Sequence, residues 1–468
     1  MAKSFPSLPN EILDKIFSFS TKKELLQARL VSHNFCAICT VYLFKYLTIE
    51  VKANKKAKSV RALHGILATK YLAHSIRGLE VNGPGVCQPQ RRGFRAWLRM
   101  LKPLRPVKHP PFKLTDTMRD SLDDLRKLER LCALTIRFCE ESCRYTGGGI
   151  PGLLAFRGDM LGSIFTPLLS RRSLETHLEY LCISRLQSRS EPTLTNSAGF
   201  IDLLRNLHTL GLSIQTPELY LLPPWHKGVL WKPSLNFYNM MPDEWLLPAS
   251  QNLKHLHLGA DLPWGWYPKV DFRHIRFPHL ECLTLGLFTF SHDWQLEWLL
   301  SHAESLRSLR LHHCSMLAFA DTTRRLLDSD GYPVSGYPVS VYPGTIASGR
   351  THRCFEGQWC CFFRAFTGTP SGLRLCNFIY TDFSQWRPPK GIVHAACDEE
   401  LVELRHKFCY SAYTLKDHFT LFNSSFNYTG EDSTLEDRVA RELSQLREDE
   451  KAYLELMNTI EERNTIRS

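Results

Sequence analysis

The spacing Leu-x-x-Leu-x-Leu/Ile constrains this chain more than any other feature. It occurs at Leu131-Leu134-Ile136, Leu178-Leu181-Ile183, Leu207-Leu210-Leu212, Leu253-Leu256-Leu258, Leu280-Leu283-Leu285 and Leu306-Leu309-Leu311. The last two apolar positions of each set fall on one face of a short strand. Starts at 253, 280 and 306 are 27 and 26 residues apart, and the step from 178 to 207 is 29. Units of that length cannot bury their apolar faces alone, so neighbours must stack. Looser versions flank the series at Ile76-Leu79-Val81 and Leu373-Cys376-Phe378. Steps of 55, 47, 46 and 67 residues exceed one unit, and the 46-residue step leaves room for a poor copy at Leu235-Asn236-Phe237.

These sets have the form of the strand portion of a leucine-rich repeat. The expected fold class is therefore an α/β repeat: an irregular leucine-rich-repeat solenoid over 131–430, with a curved parallel sheet and covering helices. FTFSHDWQLEWLLSH places Trp294, Trp298 and Leu299 on one helical face, as a covering helix requires. GYPVSGYPVSVYP at 331–343 is a tandem duplication dense in Pro and Gly, read as an exposed extended loop. The last segment, 431–468, reads as an amphipathic helix with Leu435, Val439, Leu443, Leu446, Leu454, Met457 and Ile460 in its stripe. Packing on the end of the repeats and self-association as a short coiled coil both suit that stripe.

The first fifty residues stand apart. Pro9 suits a helix start, and Ile12, Leu13, Ile16 and Phe17 follow at helical spacing. Thr21 and Glu24 have capping-box spacing ahead of Leu25, Leu26 and Ala28. Ser32 can cap a third helix carrying Phe35, Ile38, Cys39, Tyr42, Leu43 and Tyr46. Three short amphipathic helices make a unit that is marginal alone and needs a partner surface.

Leu8-Pro9, Glu11-Ile12-Leu13, Ile16-Phe17, Leu25-Leu26, Arg29, Val31-Ser32 and Phe35 resemble the F-box motif over about residues 5–48. Phe277-Pro278-His279-Leu280, HDWQLEWLLSH, Leu306-Arg307-Ser308-Leu309 with Cys314, and QWCCFFRAF are similar to a large group of filamentous-fungal F-box proteins with degenerate repeats. The resemblance implies Skp-binding through Leu8, Pro9, Ile12, Leu13, Ile16, Leu25, Leu26 and Val31. It further implies a Skp-type adaptor and, through it, a cullin–RING ligase as partners. An unknown protein substrate would be held by the repeats.

Charge is uneven. Of the formal +11, residues 52–113 carry fifteen Lys/Arg against Glu80 alone, whereas 431–468 carries eleven acids and six bases. The region 51–130 is read as a basic linker with a first degenerate repeat. Its Arg/Lys interleaved with Phe94, Trp97 and Phe112 suits a solvated loop best, ahead of single-stranded nucleic-acid binding or a docking patch for an acidic target. KANKKAK (52–58) resembles a minimal nuclear-import cluster. Fifteen cysteines without paired spacings suit reduced thiols, hence a cytoplasmic or nuclear protein. No apolar run is long enough for a membrane span, and the N-terminus lacks a signal-peptide core. Asn423 and Asn427 match the glycosylation sequon only by chance in such a compartment.

No catalytic constellation is legible, and neither cofactors nor metals are expected. Gly147, Gly149 and Gly152 satisfy G-x-G-x-x-G, but Pro151 interrupts it and no βαβ context supports it, so a loop is expected. Cys36-x-x-Cys39 has no second pair at zinc spacing. His312-His313-Cys314 follows a repeat strand, with Cys314 a core residue. The expectation is a non-catalytic substrate-recognition subunit of an SCF-type (Skp–cullin–F-box) ubiquitin ligase. The alternatives are an F-box/leucine-rich-repeat scaffold without ubiquitination, or a nucleic-acid-associated protein acting through 52–113.

Overall fold

The structure, a computed structural model, describes residues 8–51, 58–83, 114–138, 149–171, 177–216, 232–323, 327–333, 350–354, 356–368, 374–381, 403–404, 407–413 and 435–467. Most of the basic stretch, 52–57 and 84–113, lies outside these residues, as do 334–343 of the duplicated segment and both sequons. The chain divides into two compact units, residues 1–185 with 191–207, and residues 186–190 with 208–468. The expected segments 51–130 and 431–468 are absorbed into these units.

The first unit begins with three helices, α1 (Asn10–Ser18), α2 (Lys22–Ala28) and α3 (His33–Phe44). The chain continues through β1 (Tyr46–Glu50), α4 (Lys58–Ala68), α5 (Lys70–Ser75), β2 (Gly78–Asn82), α6 (Asp116–Asp123), β3 (Ala133–Arg137), α7 (Gly149–Leu169), β4 (Tyr180–Gln187) and α8 (Ala198–Arg205). β1 to β4 pair in parallel in chain order. Their apolar positions pair in phase, Leu47 with Leu79 and Leu79 with Leu134, then Leu134 with Leu181. Ile49, Val81, Ile136 and Ile183 form the second buried row. β1 was not foreseen, although Tyr46-Leu47-Thr48-Ile49 alternates with period two.

α7 corrects the expectation of a loop at Gly149 and Gly152, which lie in its first turns. Met160, Leu161, Ile164, Phe165 and Leu168 are buried along it, and Phe165 meets Phe200 of α8 edge-on at 5.1 Å.

The second unit holds β5 (Thr209–Gln215), α9 (Lys232–Met241), β6 (His255–Trp264), β7 (Cys282–Phe290), α10 (Asp293–Leu300) and β8 (Ser308–His312). β9 (Ser315–Thr323), β10 (Arg350–Cys354), α11 (Trp359–Thr367), β11 (Asn377–Thr381), β12 (Tyr410–Tyr413) and α12 (Leu435–Arg467) follow. β5, β6, β7, β8 and β11 run parallel side by side. Leu210, Leu256, Leu283, Leu309 and Phe378 form one buried row, and Leu212, Leu258, Leu285 and Leu311 the next. Leu235-Asn236-Phe237 is not a strand but part of α9, because Tyr238 and Met241 extend its buried face at helical spacing. β9 leaves this sheet, pairing with the end of β7, with β12 and antiparallel with β10.

α12 packs on α11 and β11 within this unit. Tyr453 meets Phe363 at 5.5 Å and Phe378 at 6.2 Å, while Leu446, Ala452, Leu456 and Ile460 are buried. From Leu446 onward the buried face of this helix is therefore occupied within the chain, although Leu454 is exposed; the side chains of Leu435 and Val439 lie outside the described residues.

Asp449 on α12 is fully buried. Its carboxylate accepts from the Tyr410 hydroxyl (2.8 Å), the Cys360 backbone N–H (2.8 Å) and Gln445 Nε2 (3.1 Å). Burial pushes its pKa up to about 6 against those donors. A carboxyl raised in the folded state stabilises the fold below its unfolded value, near 3.8, and loses that contribution as pH rises through about 6. Wild-type stability should therefore fall between pH 5 and 7.5 by roughly 1–2 kcal/mol from this group. Asp449→Asn should flatten that part of the profile, as read from urea midpoints across the range.

Candidate functional site

Each N-terminal helix is fixed by local chemistry. Pro9 caps α1 in an extended conformation, and its carbonyl accepts from Ile12 (3.0 Å) and Leu13 (3.1 Å). Glu24 N–H donates to Thr21 Oγ1 at 3.4 Å while Thr21 N–H donates to the Glu24 carboxylate at 2.6 Å, completing the capping box on α2. The Thr21 N–H bond, then one donated by the Thr21 hydroxyl at 2.9 Å, holds the Glu24 carboxyl below its ordinary value. Ser32 Oγ accepts from Phe35 N–H at 3.2 Å to start α3.

The three helices close on Leu13, Phe17, Leu25, Phe35 and Cys39, with Phe17 and Phe35 edge-to-face at 5.2 Å. Asn34 Nδ2 donates to Asn10 Oδ1 at 2.7 Å, and the Tyr42 hydroxyl donates to the Asp14 carbonyl at 2.9 Å. Burial, then the Asp14 carboxylate, pushes the Tyr42 hydroxyl up to about 12. α3 is tied onward by the Tyr71 hydroxyl, which donates to the Ala37 carbonyl at 2.8 Å.

Leu13 (0% exposed) and Leu25 (5%) lie in this core, so they cannot make the partner contact expected of them. They hold the helices that present their neighbours. Pro9, Ile12, Ile16, Leu26 and Val31 are exposed and Leu8 half-buried. Two further apolar side chains were missed: Phe19 is 82% and Leu30 87% exposed. Ile12, Ile16 and Phe19 follow steps of four and three, a stripe readable in the sequence, whereas nothing there distinguished Leu30. Large apolar side chains left this open on a capped, packed unit mark an interaction surface.

The strand face opposite the leucine rows of the second unit is mostly polar, although Ile379 of β11 follows Arg310 on it. In the second unit, His257, Thr284 and Arg310 sit in one register row, and Gly259, Gly286, His312 and Thr381 in the next. His257 Nδ1 lies 2.8 Å from Thr284 Oγ1, and His312 Nδ1 contacts Thr381 Oγ1. Desolvation first, then His255, Arg310 and His312, lowers the His257 pKa. Desolvation, His313 and Arg310 lower that of His312. Arg310 is the fixed positive charge among these neighbours, and the others are histidines.

Cys314 is buried as expected, and burial pushes its thiol up to about 12. Cys39 is buried and Cys36 partly so. Among the described residues no group of three or more His, Cys, Asp or Glu is placed to hold a metal, and no helix is long and apolar enough to cross a membrane.

Residues 5–50 match the F-box-like family, a span that takes in α1 to α3 and β1. No curated protein matches the chain. The match supports a role in Skp-type adaptor binding for this region. In structural terms, Leu13→Ala should cost about 2–5 kcal/mol of stability. Phe19→Ala and Leu30→Ala should each change it by less than about 0.5 kcal/mol, with chemical denaturation of the three variants as the check.

Proposed function

We propose that this protein is a substrate-recognition subunit of an SCF-type ubiquitin ligase. The observation that carries the reading is the exposed apolar set on α1, α2 and the turn after α2, lying within the F-box-like residues. Pro9, Ile12, Ile16, Phe19, Leu26, Leu30 and Val31 dock on the Skp-type adaptor, with Leu8 at the margin. Leu13, Phe17 and Leu25 hold the docking helices in register beneath them. The adaptor links the chain to a cullin–RING ligase, which performs the ubiquitin transfer. This protein's own residues do no bond chemistry. Its contribution is proximity, raising the effective concentration of target lysines near the charged ubiquitin carrier.

The target is held by the parallel-sheet region, read here as a degenerate leucine-rich-repeat array. In-phase leucine rows and spacings of 26 to 29 residues support that reading. The polar sheet face of the second unit, with His255, His257, Arg310 and His312, suits an acidic segment of the target. Arg310 supplies a fixed positive charge on this face beside histidines whose pKa values fall first through desolvation, and a cation flanked by imidazoles suits an incoming carboxylate.

The decisive test is co-purification with a Skp-type adaptor. Ile16→Asp/Phe19→Asp should weaken that complex by about thirtyfold or more while thermal unfolding stays unchanged. Wild-type protein that fails to bind the adaptor would remove the ligase reading. Adaptor binding without recovery of a cullin would instead indicate an F-box scaffold acting without ubiquitination. For the target surface, Arg310→Glu should reduce capture of acidic target proteins without affecting the adaptor complex.

A further inference from the structure

The first copy of the duplicated GYPVS motif is not the exposed loop its composition suggests. Gly331, Tyr332 and Pro333 are anchored, and the Tyr332 side chain is completely buried beside Trp266 and Leu317. Trp294 Nε1 donates to its hydroxyl at 3.0 Å, the His292 ring stacks on it at 4.3 Å, and Lys269 Nζ lies 4.5 Å from its ring centre. Trp266 Nε1 donates to the Gly331 carbonyl at 3.1 Å. Together these groups form a socket that recognises a tyrosine ring and the carbonyl just before it.

Two other sets of contacts fix which tyrosine enters. Asp328 accepts from Lys269 at 2.7 Å and from Tyr332 N–H at 2.9 Å, and Asp330 pairs with Arg273 at 2.7 Å. The backbone at Gly331 has φ +86°, where a β-branched residue would be severely strained.

Five residues on, the sequence repeats Gly336-Tyr337-Pro338 with glycine in the required place. The third partial copy, Val341-Tyr342-Pro343, has valine there. We infer that the socket is a binding site for a Gly-Tyr-Pro segment with two ligands in the same chain, so that Gly336-Tyr337-Pro338 can replace Gly331-Tyr332-Pro333 and Val341-Tyr342-Pro343 cannot. Sliding by five residues keeps the ring and carbonyl contacts. It puts Pro333 and Ser335 where Asp328 and Asp330 stood, so both ion pairs are lost and the first copy remains the preferred occupant. Lengthening the preceding connection by five residues carries only a small entropic cost.

Thermal unfolding of the full chain tests this directly. Tyr337→Ala should leave the midpoint unchanged, and Tyr332→Ala should lower it clearly less than Tyr332→Ala/Tyr337→Ala. Tyr332→Ala/Gly336→Val should fall as far as that double variant, while Tyr332→Ala/Tyr342→Ala should match Tyr332→Ala. Coincidence of Tyr332→Ala with Tyr332→Ala/Tyr337→Ala would overturn the inference, as would a further loss on removing Tyr342. Deleting residues 331–335 leaves the aspartates directly before the second copy and shortens the following connection as the slide does. That deletion should fold with an unchanged midpoint, and failure to fold would show that the second copy cannot reach the socket.

Discussion

The in-phase pairing of leucines across parallel strands is the constraint on which the rest depends. Leu283 must face Leu309, and Leu285 must face Leu311, for their side chains to share one buried layer. A slip of one residue would turn that layer to solvent and drive His257, Arg310 and His312 inward. Placement of the polar face is therefore a by-product of burying the apolar one. Within the first unit the same rule holds from Leu47 to Leu181, and Lys45, at the end of α3, accepts from Arg77 and Gly78 N–H, joining the helices to the β2 register.

The second unit adds an aromatic layer at its later strands. Trp359 stacks on Phe363 at 5.6 Å and meets Tyr380 edge-on at 5.1 Å, and its Nε1 donates to the Cys409 carbonyl at 3.0 Å. Asp449 enters this apolar surround with its donors already placed. A buried carboxylate is tolerable only with such partners. Breaking one of those bonds would cost more than the bond contributes, because the remaining charge stays buried.

Legibility followed the strength of each periodic signal. The last two positions of all six Leu-x-x-Leu-x-Leu/Ile sets fall on parallel strands, each first leucine is buried just before its strand, and both predicted side-chain caps in the first fifty residues form. α7 escaped because Pro151, Gly152, Gly158, Gly162 and Pro167 hide a buried face that tertiary packing sustains. Leu235-Asn236-Phe237 is too short an apolar run for periodicity to separate strand from helix. In the F-box-like region, Leu13 beside Ile12 and Leu25 beside Leu26 are chemically alike. Only the helix rotation, fixed by Phe17 packing edge-to-face on Phe35, decides which of each pair faces inward. Composition likewise made the GYPVS stretch look like loop, whereas Trp266 and Trp294, distant in sequence, bury its first tyrosine.

The docking of α12 orders events during synthesis. Trp359, Phe363, Phe378 and Tyr410 emerge from the ribosome before Tyr453, Leu456 and Ile460, which complete their burial. Until then a band of large aromatic rings stays open. The late part of this protein is thus the part a nascent-chain chaperone would cover. A stop codon placed before residue 446 would leave that aromatic band permanently uncovered.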